Sequence, residues 1–426
     1  MLPLKTELEN RWFIKQFTSE DLFALSDKGW ISFYFGVDPS ADSMTIGNFV
    51  ALMQAIHVML RWNKCYLLVW WATGMIGNPT GKDAERNFLD EEALTRNQAW
   101  IRKNFEDLCI NIEKISGTKL EYEIVNNYDW FKNMNYLQFL REVGKSMTVN
   151  WMMNKDIVKS RINDPDKFIS YAEFSYMLIM GYDYYVLARD HNVVLEVGGS
   201  DEWDGILAGI EITSKLLDKK VHGLTNNLIL DSNGRKFGKS EWNAIWLDPK
   251  KSTPYFVYQY FLNVTDEDVN RFLRLFTLLT MEEIDAIVAE HSQQPQLRIG
   301  QKTLAYRVVQ IIHGTEAAEQ AQAITDFVFA SDKLDRIKST DQSFVTALVE
   351  QIGGVQATDG DSILDVLVNS WFTESRGDAK KLIQQNGISL NEVAVSDINY
   401  AIRSSDRVSG VILLQKGKKN MRLVVR

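Results

Sequence analysis

The chain has 426 residues, 45% of them hydrophobic and 24% charged. That balance excludes a disordered or fibrous protein, and the length predicts two or three domains rather than one core. A net charge of −9 excludes wholesale non-specific nucleic-acid binding, while a local basic patch for RNA stays open.

Residues 1–30 read as a helix ending in a turn at Lys28-Gly29, with no apolar run suited to a signal peptide. Ile31–Val37 is β-rich and breaks at Asp38-Pro39-Ser40. Phe49, Leu52, Met53, Ile56 and Leu60 then share a helical face. Tyr66–Trp71 is a short continuous apolar run, which suits a strand buried on both faces of a parallel sheet. Strand, glycine-containing loop, helix and strand make a βαβ unit, whose ligand belongs at the carboxyl ends of the strands. Helices dominate to about residue 190. Val193–Val197 and Leu224–Leu230 read as further strands, and 255–320 as helices, with Thr265 as an N-cap before Asp266-Glu267-Asp268. Gly353-Gly354 and Asp359-Gly360-Asp361 look like a linker before a more basic tail. Cys65 and Cys109 sit in apolar or helical context with no CxxC spacing, so free buried thiols are expected rather than a disulfide or zinc site. No stretch reaches membrane-spanning length, and the expected location is cytoplasmic.

Four segments carry chemistry. Asp38–Asn48 leads from a strand to a helix start, where free N–H groups favour an anion; Gly47 admits close approach, and Thr45 and Asn48 lie one turn apart. The same residues also suit plain helix capping. Lys82 and Arg86 fall on one helical face after Gly77-Asn78-Pro79-Thr80-Gly81, as phosphate contacts or as a solvated basic face. Gly234–Ser240 sets Lys236 and Lys239 about a glycine, a cationic clamp of the kind that stabilises transferring phosphoryl groups. It lacks Walker A spacing. Gly198-Gly199-Ser200-Asp201-Glu202-Trp203-Asp204 gathers three carboxylates at a strand-to-helix junction, for ribose, a cation, an ammonium group or helix capping.

In order along the chain, Tyr34–Pro39, Thr73–Gly77, Asn126–Trp130, Glu173–Tyr176, Gly198–Asp201 and Lys236–Ser240 resemble the bacterial tyrosyl-tRNA synthetases, a class I aminoacyl-tRNA synthetase family. The tail, with Ser375–Lys381 and Lys416–Asn420, resembles the S4-type RNA-binding module, so the likeness covers essentially the whole chain. It implies an α/β fold: a Rossmann-like catalytic domain with a parallel sheet and a helical dimerisation insertion (1–225), a signature-loop and helical anticodon-side domain (226–335), a linker (336–361) and a small α+β S4-like domain (362–426). The implied reaction is attack of the tyrosine carboxylate on the α-phosphate of ATP, with Mg2+ on the nucleotide, then transfer to tRNA(Tyr). No protein-bound metal is expected. The implied catalytic residues are Thr45, Asn48, Lys82, Arg86, Lys236, Lys239 and Ser240. ATP falls to Asp38, Ser40, Gly47, Gly199, Asp201 and Lys239. The amino acid falls to Tyr34, Leu68, Thr73, Tyr176, Asn78, Met180, Asp183 and Glu202, with Tyr34 and Asp183 reading the phenol hydroxyl. Arg376, Lys380, Lys381, Lys418 and Lys419 are the implied RNA contacts, and a homodimer pairing near 130–170 is implied as well.

Departures gather in the active site. Thr45-Ile46-Gly47-Asn48 stands where the family has His-Ile-Gly-His, and losing one transition-state contact typically costs about 2.7–4 kcal/mol. Asn78 replaces an aspartate, Met180 a glutamine, and Glu196 and Glu202 glutamines. Trp70 and Trp71 replace two glycines, and as strand residues they would point to opposite faces. These changes leave open a relative that activates a non-standard phenolic acid, or a weakly active RNA-binding descendant.

Overall fold

The protein is described by a computed structural model covering residues 2–77, 90–164, 168–227, 244–417 and 420–426. It divides into two compact units, Met1–Ser252 with Thr265–Gly300, and Thr253–Val264 with Gln301–Arg426.

The first unit is built on a six-stranded sheet. Its strands are β1 (Gln16–Phe17), β2 (Ser32–Val37), β3 (Lys64–Val69), β4 (Tyr122–Asn126), β5 (Val193–Gly199) and β6 (His222–Asn226). They lie in the order β1-β6-β5-β2-β3-β4. All neighbouring pairs are parallel except β1 with β6. The chain winds outward one way from β2 through β3 to β4, and the other way from β5 to β6. The strand order therefore reverses between β2 and β5, and a crevice at their carboxyl ends is where such sheets bind ligands. Cys65 through Val69 are all buried, as a strand covered on both faces requires. The Ile46–Met59 helix buries Phe49, Leu52, Met53 and Ile56.

Four local expectations change, one of them the strand expected over 224–230, which is β6 at His222–Asn226. Residues 1–30 hold two helices, Leu4–Asn10 and Asp21–Lys28, separated by β1. The apolar run 66–71 is not all strand: β3 stops at Val69, and Trp71 opens the helix Trp71–Ile76. β5 continues through Gly199, two residues past its apolar stretch. Cys65 and Cys109 are free and buried, and burial pushes both thiols up, Cys109 to about 12.

The second unit opens with the helix Pro254–Leu262, which packs on Thr315–Phe329 and Gln342–Ile352. It ends in a five-stranded sheet of β7 (Gly354–Gln356), β8 (Ile388–Leu390), β9 (Val393–Ala394), β10 (Ile412–Lys416) and β11 (Asn420–Val425), in the order β7-β11-β10-β8-β9. The stretch 336–361 thus contains the helix Gln342–Ile352 and β7, which pairs with β11. The helices Ile363–Asn369 and Arg376–Gln384 cover the sheet through Ile363, Leu367, Ile383, Ile412 and Leu414. Among the described residues no helix is long and apolar enough to cross a membrane.

Candidate active site

Parallel pairing sets Tyr34 on β2 beside Tyr66 on β3 and Glu196 on β5. Paired residues share a face of the sheet, so Tyr34 and Glu196 turn the same way. Over that face runs the helix Tyr171–Asp190, begun by a capping box in which Ser170 and Glu173 satisfy each other's backbone N–H groups. Tyr176, Met180 and Asp183 recur at helical spacing and are all buried. Tyr34, Leu68, Trp70, Tyr176 and Met180 form one apolar cluster with Tyr184, whose ring stands edge-on to Tyr34 at 5.1 Å.

The end of this cluster is polar. Trp130 Nε1 donates to Asp183 Oδ1 at 2.8 Å, and Asn127 Nδ2 donates to Asp183 Oδ2 at 3.2 Å. Asn127 also donates to Thr73 Oγ1 at 3.2 Å and accepts from the Ala72 N–H at 2.7 Å. Thr73 in turn donates to the Trp70 carbonyl at 3.1 Å. The Asp183 carboxyl is completely buried, and burial pushes it up to about 8 against the two donors, which hold it down. Burial likewise pushes Glu196 up to about 8, with Asp183 adding to the rise. The Tyr34 hydroxyl and Glu196 Oε2 are buried with no hydrogen bond of regular geometry, although the two side chains lie close enough for Tyr34 to hold the Glu196 titration down and for Glu196 to push the Tyr34 titration up. A buried polar atom left unmatched costs about 1–3 kcal/mol, so this end of the pocket is built to receive hydrogen-bonding groups. Sequence reading quoted Asn127 and Trp130 without giving them a role; their signal was a polar residue and an indole N–H directly after a sheet strand.

At the strand ends, Tyr176 donates to Asp38 Oδ1 at 3.5 Å. A Cβ on Gly199 would collide with Asp201 Oδ1, so the glycine makes room for that carboxylate. Glu202 follows in the same turn. Ser40 is exposed, and Gly47 has no close neighbour that a Cβ would strike. Thr45 starts the helix Ile46–Met59, and Asn48 Oδ1 accepts from the Thr45 N–H at 3.0 Å and from its hydroxyl at 2.8 Å. Thr45 also bridges to Trp246, with Ile46 N–H donating to Ile245 O and Leu247 N–H to Met44 O. Residues 245–247 are thereby tied to the start of the helix at Thr45-Ile46.

The methionine and tryptophan departures have a structural form. Met180 Sδ lies where a Cβ on Gly205 would be, and the Trp70 ring lies where a Cβ on Gly36 would be. Trp70 is buried with its Nε1 unpartnered. Asn78, Lys82, Arg86, Lys236, Lys239 and Ser240 lie outside the described residues, as do Lys418 and Lys419. In the second unit Lys380 is exposed, Arg376 pairs with Asp365 at 3.2 Å, and Lys381 pairs with Asp378 at 3.4 Å.

The family model described as "tRNA synthetases class I (W and Y)" matches residues 26–330. That described as "Tyrosine--tRNA ligase SYY-like C-terminal domain" matches 344–424. The chain is 41% identical over 417 residues, 97% of each chain, to a tyrosine–tRNA ligase of Streptococcus equi subsp. zooepidemicus. The chain belongs to the tyrosine–tRNA ligases. Within this family it is also 40% identical over 415 residues, again 97% of each chain, to tyrosine–tRNA ligase 1 of Streptococcus thermophilus. A C-terminally truncated mitochondrial tyrosyl-tRNA synthetase of Aspergillus nidulans superposes with a TM-score of 0.70 at 28% identity, covering 77% of this chain and 95% of that one. A ligase of this family takes ATP, tyrosine and tRNA as substrates, and the Rossmann-like fold with its small C-terminal sheet is the one such a ligase needs.

Proposed function

We propose that the Tyr34–Asp183 end of the buried cluster is the phenol-recognition site at which this ligase selects tyrosine. The observation that carries it is a Tyr34 hydroxyl buried with no hydrogen bond of regular geometry and near enough to Asp183 to feel its charge, beside an Asp183 carboxyl held by Trp130 and Asn127. A phenol hydroxyl accepts from Tyr34 and donates to Asp183; a phenylalanine ring leaves both unmatched, at about 1–3 kcal/mol each. The substrate carboxylate then points toward the carboxyl ends of β2 and β5. There Asp38, Ser40, Gly47, Gly199 and Asp201 receive the nucleotide, with Asp201 on the ribose. Tyr176, Thr73, Leu68, Met180, Asn78 and Glu202 complete the amino-acid side.

In this reading no protein nucleophile takes part. The carboxylate oxygen attacks the α-phosphorus, the bond to the bridging oxygen breaks, and pyrophosphate leaves. Catalysis is positioning plus stabilisation of the charge on pyrophosphate by Lys82, Arg86, Lys236 and Lys239, with Thr45, Asn48 and Ser240 assisting. Mg2+ travels on the nucleotide. Arg376, Lys380, Lys381, Lys418 and Lys419 hold the tRNA backbone, and the cytoplasm is the site of action. The chain pairs as a homodimer through 130–170, a reading supported by the exposure of Tyr136, Leu137, Val149, Phe168 and Tyr171. Acceptance of a phenolic analogue is supported by the apolar Met180 where the family has a glutamine.

The test is tyrosine-dependent ATP–pyrophosphate exchange. Tyr34→Phe lowers kcat/KM for tyrosine by about 5- to 100-fold and leaves phenylalanine activation nearly unchanged. An equal fall for both amino acids would remove Tyr34 from phenol recognition.

A further inference from the structure

Four of the eleven described non-glycine residues with positive φ are tryptophans: Trp12 at 58°, Trp30 at 67°, Trp62 at 60° and Trp371 at 60°. Tryptophan supplies only 12 of the 426 residues. The left-handed region is strained for any side chain and a genuine outlier for a bulky one, whereas glycine enters it without cost. Chance does not place one rare, large residue type there so often.

The local motifs sharpen the point. After the helix Leu4–Asn10, Trp12 N–H bonds to Glu9 O and Phe13 N–H to Leu8 O. After the helix Ile363–Asn369, Trp371 N–H bonds to Val368 O and Phe372 N–H to Leu367 O. Both are Schellman motifs, and the tryptophan sits at the left-handed position that belongs to glycine, or less often asparagine. The buried Phe13 and Phe372 supply the apolar contact that follows the cap. The third motif of the same pattern, Asn386 N–H to Ile383 O with Gly387 N–H to Leu382 O, uses asparagine. Trp62 N–H bonds to Met59 O past the end of Ile46–Met59, and Trp30 N–H bonds to Trp62 O.

Exposure divides the tryptophans the same way. Trp12, Trp30, Trp62 and Trp371 are 44%, 82%, 60% and 91% exposed. The other described tryptophans have negative φ or normal backbone and are buried or half-buried. Those others do what an indole does: Trp130 donates to Asp183, for example. The left-handed four take on backbone strain and, apart from Trp12 with Arg274 over its ring at 5.5 Å, leave large apolar rings in water.

Tryptophan and glycine meet at one codon. UGA differs from the tryptophan codon UGG only in its third base, and different genetic codes read it as stop, tryptophan or glycine. We infer that the cell making this ligase places glycine at positions 12, 30, 62 and 371, from in-frame UGA codons decoded as glycine. The inference reaches the active site through Trp70, whose ring fills the space above Gly36 among Tyr34, Leu68, Tyr176 and Met180 and leaves its Nε1 unpartnered. Glycine there opens space for a substrate ring, whereas Trp71, buried against Tyr128 at 4.2 Å at the start of a regular helix, stays outside the set.

The gene and the protein both test it. UGA at the four positions, and tryptic peptides of the ligase purified from its own cells carrying glycine, are the expected results; UGG codons or tryptophan-containing peptides overturn the inference. Recombinant chains give a second reading. Replacing Trp12, Trp30, Trp62 and Trp371 together by glycine raises the melting temperature by several degrees, and an unchanged or lower value counts against glycine at these sites. Trp70→Gly raises tyrosine-dependent pyrophosphate exchange at least tenfold over the tryptophan chain; equal exchange removes position 70 from the set.

Discussion

Two buried carboxyl groups, Asp183 and Glu196, make the stability of the free enzyme depend on pH. Asp183 and Glu196 both have their titration raised by burial, each to about 8, and Asp183 adds its repulsion to Glu196. Each is an ordinary carboxylic acid when unfolded. Between the unfolded and folded values the native state holds a proton that the unfolded chain has lost, so stability falls as pH rises through this window. It is fully present below about pH 4 and lost by about pH 8, and each group carries roughly 2–5 kcal/mol of that change. Glu196→Gln keeps shape and polarity and removes the proton. Melting curves at pH 5 and pH 8 check the point: the wild type loses more of its melting temperature across that interval than the variant does. Equal losses would mean that Glu196 is ionised at little cost in the fold. Tyr34 stands next to Glu196, so tyrosine KM in the variant shifts with the same pH profile removed.

The element that organises the pocket is the helix Tyr171–Asp190, but its key acid is held from outside it. Asn127, just past β4, ties together Asp183, Thr73 and the backbone of Ala72. Asn127→Ala leaves these polar groups unmatched in a buried place and costs about 2–4 kcal/mol of stability. Urea unfolding measures that loss, and a raised KM for tyrosine with little change in kcat marks the loosened Asp183. This bracing also shows where sequence reading reaches and where it stops. Alternation and apolar runs located β2, β3 and β5, because a strand covered on both faces must be continuously apolar. The same rule overran at Trp70 and Trp71, since apolar character does not say where a strand gives way to a helix. Tyr34 and Asp183 are legible through family likeness alone: they are 149 positions apart in sequence, and only the packing of the helix Tyr171–Asp190 over β2 brings them near enough for the Asp183 charge to act on Tyr34. Asn127 escaped because an asparagine after a strand reads equally well as a turn. The first thirty residues read as one helix because no glycine or proline marks the break; the left-handed residue at position 12 makes it.

On the scale of the whole molecule, two surfaces carry the remaining expectations, one in each unit. In the first unit Tyr136, Leu137, Val149, Phe168 and Tyr171 are each at least 60% exposed. Exposed apolar side chains gathered in one stretch of chain are the kind of surface that a partner covers. Leu137→Asp puts a charge into this exposed apolar surface and yields monomer in sedimentation equilibrium where the wild type gives dimer. In the second unit the argument is electrostatic. The molecule carries −9 overall and repels polyanions in bulk, so tRNA binding must rest on a local cluster. Lys380 is exposed on the helix Arg376–Gln384, and Lys381 beside it is held only by a surface pair with Asp378 that water screens. Each lysine that neutralises a phosphate releases a condensed counterion, which contributes roughly 0.7–0.9 to the slope of log affinity against log salt. Lys380→Ala with Lys381→Ala therefore lowers the slope for tRNA by about 1.5, weakens binding most at low salt, and leaves tyrosine-dependent pyrophosphate exchange unchanged, since no tRNA enters that half-reaction. Filter binding across a salt series separates the outcomes. An unchanged slope would take both lysines off the RNA, and a lost exchange activity would mean the substitution disturbed the fold rather than the interface.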